Sequence, residues 1–330
     1  MCRCWFGCFT YENSITVILN FRTEITPEPV QWDINYRSKI VVAGSCFAER
    51  IGQWFDHHRF QVEVNPNGII FHPTPLVRTL TRALDRRPYT MGELAVNNGV
   101  YCSFDHHGSF SQTNADDALR YINERHSVAS NALCSTDVII ITWGSAWAYH
   151  HAETNAAVAN CHKFPGTMFR KSLTPIHDIV AQWADFIEQL KTVNPGVKCI
   201  LSLSPVRYLR DGAHGNQLSK AHLLLAAEEL VQRFDHVHYF PSYEIVLDEL
   251  RDYRFYAEDM MHPSSQAVEY VITKFAACFM SEETRSRLQR MEPLLKFLAH
   301  RPIKINDTEW NLKIAEKQAL LEVMLREFRA

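Results

Sequence analysis

Five short apolar runs recur along the chain, separated by longer stretches with helical periodicity. They cover residues 39–43, 60–64, 138–141, 197–203 and 237–240, and each is followed by a turn-forming segment. The first and third runs are almost continuously apolar, which is typical of parallel strands covered on both faces. This alternation predicts an α/β fold: a three-layer α/β/α sandwich with a five-stranded parallel sheet, followed by C-terminal helices.

Helix starts are also readable from the sequence. Thr74-Pro75 and Thr174-Pro175 combine a capping residue with a first-turn proline, and Ser219 is a candidate cap for the next helical stretch. The stretch 86–130 is too long for a simple crossover between strands, so it predicts an extra hairpin.

Three segments differ in character. Residues 1–19 look detached from the rest of the chain and are expected to be a disordered extension. Residues 20–280 hold all five strands and are expected to form the main domain. Residues 281–330 are expected to form a helical appendage, because they contain two charged amphipathic stretches that would either pack on the domain or bind a partner.

Composition narrows the class of protein. The net charge is −3 and the pI about 6.6, so no basic field is available for nucleic acid. The nine cysteines are odd in number and irregularly spaced, which indicates a reducing compartment and not a disulfide framework. No apolar run approaches the roughly 18 residues of a membrane span, and no good signal peptide is present. We expect a soluble cytoplasmic protein, and the sequence leaves its oligomeric state open.

Candidate functional residues follow each predicted strand. They would lie at the carboxyl edge of the sheet, where open parallel sheets bind ligands. The pentapeptide at 44–48 follows the first strand, and the segment after the fifth strand contributes a second motif, Asp259-x-x-His262. The other strand ends and loops contribute further candidates: Asn67, Gly68, Gly144, Asn160, His162 and Arg207. A nucleophile, hydrogen-bond donors, an acid and an imidazole would then converge on one rim.

The chain resembles the GSCFA family, named for the pentapeptide that stands here at residues 44–48. The resemblance runs from about residue 21 to 279. It includes the segments 65–69, 160–163, 204–207, 248–256 and 259–263. That family is grouped with the SGNH/GDSL hydrolases, so the resemblance implies an SGNH-like α/β fold of the flavodoxin-like type and an ester-hydrolase site.

The SGNH pattern fits this sequence in two registers. Aligned on Gly44, the nucleophile is Cys46; shifted by one residue, it is Ser45. The resemblance implies that His262 is the base and that Asp259 orients it. The register on Gly44 favours Cys46 slightly, and a thiol also ionises more easily than a hydroxyl.

The sequence holds only part of the hydrogen-bond donors that the SGNH pattern uses to stabilise the oxyanion. The resemblance implies that Gly68 and Gly144 match two of the pattern's blocks, but the position of its asparagine donor holds Ala146. Asn67, Asn160 or His162 would supply a replacement. Arg207 is predicted either to bind an anionic part of the substrate or to pair with the carboxylate of Asp211 or Glu244.

Neither a cofactor nor a metal is expected. The doublets His57-His58, His106-His107 and His150-His151 are interpreted as surface histidines, because no i, i+4 pair with a nearby carboxylate stands out.

The leading hypothesis is an acyl esterase with a Ser/Cys-His-Asp triad. Its substrate would be a small-molecule or carbohydrate ester, cleaved through a covalent acyl-enzyme. The alternatives are an acyltransferase and a catalytically silent domain that binds a glycan or a protein. The missing asparagine favours the silent domain, whereas the intact Asp259 and His262 oppose it.

Overall fold

A computed structural model describes residues 22–300 and 308–330 of the chain. The predicted disordered extension, 1–19, lies outside these residues. The strands are β1 (Lys39–Gly44), β2 (Gln61–Val64), β3 (Ala95–Asn97), β4 (Val100–Cys102), β5 (Val138–Trp143), β6 (Trp147–His151), β7 (Ala157–Val158), β8 (Phe169–Leu173), β9 (Lys198–Leu203) and β10 (Val237–Phe240). The helices are α1 (Cys46–His57), α2 (Pro73–Leu84), α3 (Ala115–Ser135), α4 (Ile176–Val193), α5 (Gly212–Arg233), α6 (Ser242–Glu244), α7 (Ser265–Phe279), α8 (Glu282–Ala299) and α9 (Thr308–Arg329).

The central sheet has the strand order β10-β9-β5-β1-β2, and all four pairings are parallel. This confirms the predicted five-stranded sheet of the flavodoxin-like type. The order reverses direction between β1 and β5, so the carboxyl ends of these two strands form the switch point where such sheets bind ligands.

The sheet is covered on both faces. Alternate residues of β1 point to opposite layers: Val41 and Ala43 belong to the core that includes α2, α3, α4 and α5, whereas Ile40 and Val42 belong to the core that includes α1, α7, α8 and α9. The apolar runs in the sequence are continuous because both faces of these strands are buried. The three-layer prediction is therefore confirmed.

The connections hold extra elements. β3 and β4 form an antiparallel hairpin, as predicted for the long crossover, and β7, β6 and β8 form a small antiparallel sheet that the sequence did not predict. In the described parts of the chain, no helix has the length and apolar character required to cross a membrane.

Three predicted helix starts were wrong. α2 begins at Pro73, and the ring of His72 accepts the hydrogen bond from the Thr74 amide, so Thr74 is not the cap. Pro175 precedes α4, with no side chain capping that helix. α5 begins at Gly212, which leaves Ser219 inside the helix. At α2 the ring of His72 caps the helix in place of the expected Thr74 hydroxyl. Residue propensities do not predict a histidine at this position.

Two of the histidines interpreted as surface residues are buried. His58 is 8% exposed and His106 is 0% exposed. The ring of His106 packs 4.7 Å from that of Tyr89, and its Nδ1 lies 3.0 Å from the Ser103 hydroxyl. The interpretation was wrong for these two positions because tertiary packing, which a doublet in the sequence does not encode, covers them.

The two C-terminal helices pack on the same core as α1 and α7. That core includes Leu288 and Leu295 of α8 and Leu325 and Phe328 of α9. Phe328 is 1% exposed, and its ring lies 5.0 Å from that of Tyr36. These contacts predict that α9 unfolds together with the sheet.

Phe328→Ala tests this coupling. Removing a fully buried ring should lower the free energy of unfolding by about 3 to 5 kcal/mol, measured by urea denaturation. Leu312→Ala is the control on the same helix, because Leu312 is 67% exposed and should change stability little. A separate early transition for α9, with the main transition unchanged, would contradict the expectation.

Candidate active site

The turn at the end of β1 is fixed by a glycine. Gly44 has φ +135°, and a Cβ at this position would lie 2.2 Å from the carbonyl oxygen of Thr142 on β5. Its amide donates to the side-chain oxygen of Asn65 at 2.9 Å. No residue with a side chain fits this close approach, so the strand turns directly into α1.

Ser45 is the N-cap of α1, and its hydroxyl points into the sheet. The residue is 0% exposed. Its Oγ accepts from the Phe47 amide at 3.2 Å and lies 2.6 Å from the hydroxyl of Thr142. These contacts are those of a helix cap.

Cys46 is the first residue of α1, and it lines a cavity of about 350 Å³. The thiol is half-buried. Burial raises its pKa, while the amides of Cys46 and Phe47 and the charge of Lys220 act in the opposite direction. A base is therefore needed to make the thiolate.

His262 lines the same cavity and comes from a short turn after β10. Its Nδ1 lies 2.6 Å from one carboxylate oxygen of Asp259, and the other oxygen accepts from the Met261 and His262 amides, both at 2.9 Å. The hydrogen bonds from His262, followed by that from the Met261 amide, lower the pKa of Asp259 to about 2. Asp259 is thus an anion that holds the ring and leaves Nε2 for other partners.

The cavity combines aromatic walls with cations. Two aromatic residues, Trp147 and Tyr149, lie beside the amine of Lys171, which is 5.3 Å and 5.5 Å from their ring centres. The full lining is Cys46, Ile69, Phe71, Ser145, Trp147, Tyr149, Lys171, Val206, Arg207, Tyr208, Leu209, Arg210, Asp211, Met261 and His262.

Arg207 is brought to the site as expected, but not through either carboxylate considered in the sequence. Asp211 pairs with Lys171, and Glu244 accepts from the hydroxyl of Tyr239. Instead the Arg207 guanidinium donates to the Met260 carbonyl at 3.2 Å.

The two glycines expected as oxyanion donors already have acceptors. The Gly68 amide donates to the Asn65 carbonyl at 2.7 Å, and the Gly144 amide donates to the Phe71 carbonyl at 2.7 Å. An amide that satisfies a backbone carbonyl is not free for a substrate, and neither glycine lines the cavity of Cys46. Asn67 is 2% exposed, its side chain has no partner among the described residues, and it does not line the cavity of Cys46.

Asn160 and His162 lie elsewhere. They line a different cavity of about 390 Å³, which shares no lining residue with that of Cys46. The Nε2 of His162 contacts the Ser103 carbonyl at 2.8 Å, and its amide donates to the Asn160 side chain at 2.8 Å. Neither residue is therefore positioned to replace the missing asparagine.

Two residues near Cys46 were missed by sequence reasoning. The hydroxyl of Tyr208 packs directly over Gly144, where a Cβ would lie 2.3 Å from it. Lys220 is 1% exposed, and its amine donates to the Gly144 carbonyl at 2.7 Å and the Ser204 carbonyl at 2.6 Å. Tyr208 directly follows a segment of the family resemblance, but no local pattern marks Lys220.

The Lys220 amine has a pKa far below that of an exposed lysine. Burial lowers the pKa of its amine to about 7, although the negative charges of Cys46 and Glu244 act to raise it. Burial also raises the pKa of Tyr208, and the charge of Cys46 adds to this effect. The thiol, the amine and the phenol thus influence each other's ionisation at the ends of β1, β5 and β9.

The fold is a flavodoxin-like α/β sandwich, and Cys46 and His262 line one cavity at its carboxyl edge. The GSCFA family model matches residues 39–275, so the chain belongs to the GSCFA family, as the resemblance predicted. No match was found among curated proteins.

Two solved structures are similar to this chain at low identity. One is a candidate platelet activating factor from Streptococcus pneumonia, with 12% identity, a TM-score of 0.37, and coverage of 79% of this chain and 86% of the other. The second is a carbohydrate esterase family 3 from Talaromyces cellulolyticus, with 13% identity, a TM-score of 0.31, and coverage of 78% and 98%.

The buried amine generates a prediction about pH and stability. An unfolded lysine has a pKa of about 10.4, whereas that of folded Lys220 is about 7. Between these values the unfolded state binds more protons, so the stability contributed by Lys220 rises with pH and is lost as pH falls toward 7.

Urea unfolding of the wild type and Lys220→Met from pH 7 to pH 9 measures this contribution. The difference in free energy of unfolding should shift in favour of the wild type by on the order of 1 kcal/mol per pH unit. Parallel pH dependences in the two proteins would contradict it, because all other titrating groups are shared.

Proposed function

We propose that this chain is an ester hydrolase in which Cys46 is the nucleophile, His262 the base and Asp259 the residue that orients His262. The observation that carries the proposal is that Cys46 and His262 line one cavity, with the ring of His262 tied to Asp259 at 2.6 Å. Ser45 is a poor candidate nucleophile because its hydroxyl is fully buried as a helix cap.

The reaction follows from this arrangement. Nε2 of His262 takes the thiol proton, and the thiolate of Cys46 attacks the ester carbonyl carbon. The tetrahedral intermediate collapses, and the C–O bond breaks as His262 returns the proton to the departing alcohol. Water then attacks the thioester with His262 as base, which releases the acid and the free thiol. Asp259 stabilises the imidazolium in both halves.

Two donors are suited to the oxyanion. The Cys46 amide is in the first turn of α1, where amides have no acceptor within the helix. The second is the hydroxyl of Tyr208, which lines the cavity and lies against Gly144. A phenol in this place would compensate for Ala146, which weakens the argument for a catalytically silent domain.

Lys220 is proposed as a positioning residue. Its amine holds the carbonyls of Gly144 and Ser204, so it fixes the strand ends beneath the cavity. Its positive charge favours the thiolate of Cys46, which the buried thiol would otherwise form with difficulty.

The substrate class is proposed from an adjoining cavity of about 490 Å³, which shares Arg207 and Leu209 with the first. Three tyrosines line it together with two carboxylates and two guanidinium groups: Tyr243, Tyr253, Tyr256, Asp248, Asp252, Arg207 and Arg251. Aromatic faces with balanced charges suit a neutral, hydroxyl-rich alcohol, so an acylated carbohydrate fits better than an anionic ester.

Three variants test the triad with 4-nitrophenyl acetate as substrate. Cys46→Ala and His262→Ala should each lower kcat/KM by about 10³ or more. Ser45→Ala should keep activity within tenfold and lose about 1 kcal/mol of stability as a broken cap.

Iodoacetamide inactivation of the wild type, slowed by substrate, is the matching chemical test. An active Cys46→Ala beside an inactive, folded Ser45→Ala would reverse the assignment of the nucleophile. Wild-type activity equal to that of His262→Ala would support the silent binding domain.

Tyr208→Phe tests the oxyanion donor. Removing one donor should lower kcat by a factor of about 10² to 10³ with KM almost unchanged. Tyr149→Phe is the control, since Tyr149 lines the same cavity but has no assigned step. Equal effects of the two changes would remove Tyr208 from the mechanism.

A further inference from the structure

A cluster of metal-ligating side chains lies away from the catalytic cavity, where the C-terminal end of α1 meets α8. The ligand atoms of His57, His58 and Glu292 all lie within 4.8 Å of one another. His57 and His58 are adjacent at the end of α1, whereas Glu292 comes from α8. Among the described residues, this is the cluster of three such groups close enough to share an ion.

The hydrogen bonding of His58 leaves one nitrogen for a ligand. Its Nδ1 lies 2.8 Å from the Trp54 carbonyl, and a carbonyl oxygen only accepts, so Nδ1 carries the proton. Nε2 of a neutral ring then presents a lone pair to a Glu292 carboxylate oxygen 3.2 Å away. Two acceptors facing each other require a proton or a cation between them. A ring nitrogen bonded to a backbone carbonyl is also the usual support of a metal-binding histidine.

The distances match a shared tetrahedral ion. With metal–ligand bonds of about 2.0 Å, two ligand atoms on one zinc are about 3.3 Å apart, and two imidazole ring centres about 5 Å. Nε2 of His58 lies 3.2 Å from Glu292, and the rings of His57 and His58 are 5.0 Å apart. His57 is exposed, so its side chain has freedom to complete the geometry.

We propose that His57, His58 and Glu292 bind one zinc ion, with water as the fourth ligand. Imidazole and carboxylate ligands in tetrahedral geometry suit Zn²⁺. The site would join α8 to α1, the helix whose first residue is Cys46. One competing cation is Lys296, whose amine lies 3.2 Å from the other oxygen of Glu292; its side chain is 75% exposed, so it is free to move aside.

Calorimetric titration of the chelator-treated full chain with zinc chloride tests the site. The wild type should bind an equivalent of zinc that His57→Ala and Glu292→Gln each lose or bind at least about tenfold more weakly. These two positions are exposed or half-exposed, so the variants should fold. His177→Ala is the matched control, because His177 is an exposed histidine 3.3 Å from Asp178 without a third ligand, and it should bind like the wild type.

Two further measurements distinguish metal binding at this site from metal binding by the cysteines. Cobalt bound at His57, His58 and Glu292 should give no thiolate-to-metal charge-transfer band. Zinc at about 100 times its Kd should raise the Tm of the wild type by about 5 °C, but not that of Glu292→Gln. Equal binding by the wild type and both ligand variants, or no binding by the wild type, would overturn the site. The first result would mean an adventitious ion only, and the second an ordinary His58–Glu292 ion pair.

Discussion

The close backbone approach between Gly44 and Thr142 sets the geometry of the sheet edge that carries Cys46. The end of β1 lies so near the end of β5 that a Cβ at residue 44 would be 2.2 Å from the Thr142 carbonyl oxygen. The chain must therefore turn at once, and the next two side chains point in opposite directions. Ser45 turns inward to Thr142, and Cys46 reaches the cavity. A glycine at the switch point thus decides which of the two adjacent side chains, Ser45 or Cys46, is accessible from the cavity.

A buried charge joins the remaining strand ends to this turn. Lys220 binds the carbonyls that end β5 and β9, and an ammonium group without water is costly unless its donors are satisfied and an anion is near. Ser219, one residue earlier, accepts from the Ala146 amide at 2.7 Å. One turn of α5 therefore organises the position where the SGNH pattern has its asparagine. This explains how the segment keeps its shape with alanine there, while Tyr208 occupies the space over Gly144.

The sequence predicted the sheet well and the contacts between segments poorly. Buried parallel strands are continuous apolar runs, so all five were located, and Asp259 and His262 interact within one turn, so their pairing was readable. The partners of Lys220 and the separation of Asn160 from Cys46 are set by tertiary packing across many residues. The same applies to Glu292, which is 234 positions from His58 and invisible to any local histidine pattern. Hydrogen bonds of the Gly68 and Gly144 amides depend on loop paths that residue type does not specify.

The position of His262 relative to Cys46 depends on one further residue, Arg207. Asp259 fixes the orientation of His262 locally, but both side chains are exposed, at 40% and 47%, so packing does not hold their turn against the sheet. Arg207 does so twice: its amide donates to the Met261 carbonyl at 3.0 Å and its guanidinium to the Met260 carbonyl at 3.2 Å. Since Arg207 follows β9, it ties the turn that carries His262 to the edge that carries Cys46. The same guanidinium lies over the rings of Tyr253 and Tyr256. The guanidinium that lines the adjoining cavity is therefore also the group that holds the Met260 carbonyl in the turn of His262, so this single side chain links the two cavities.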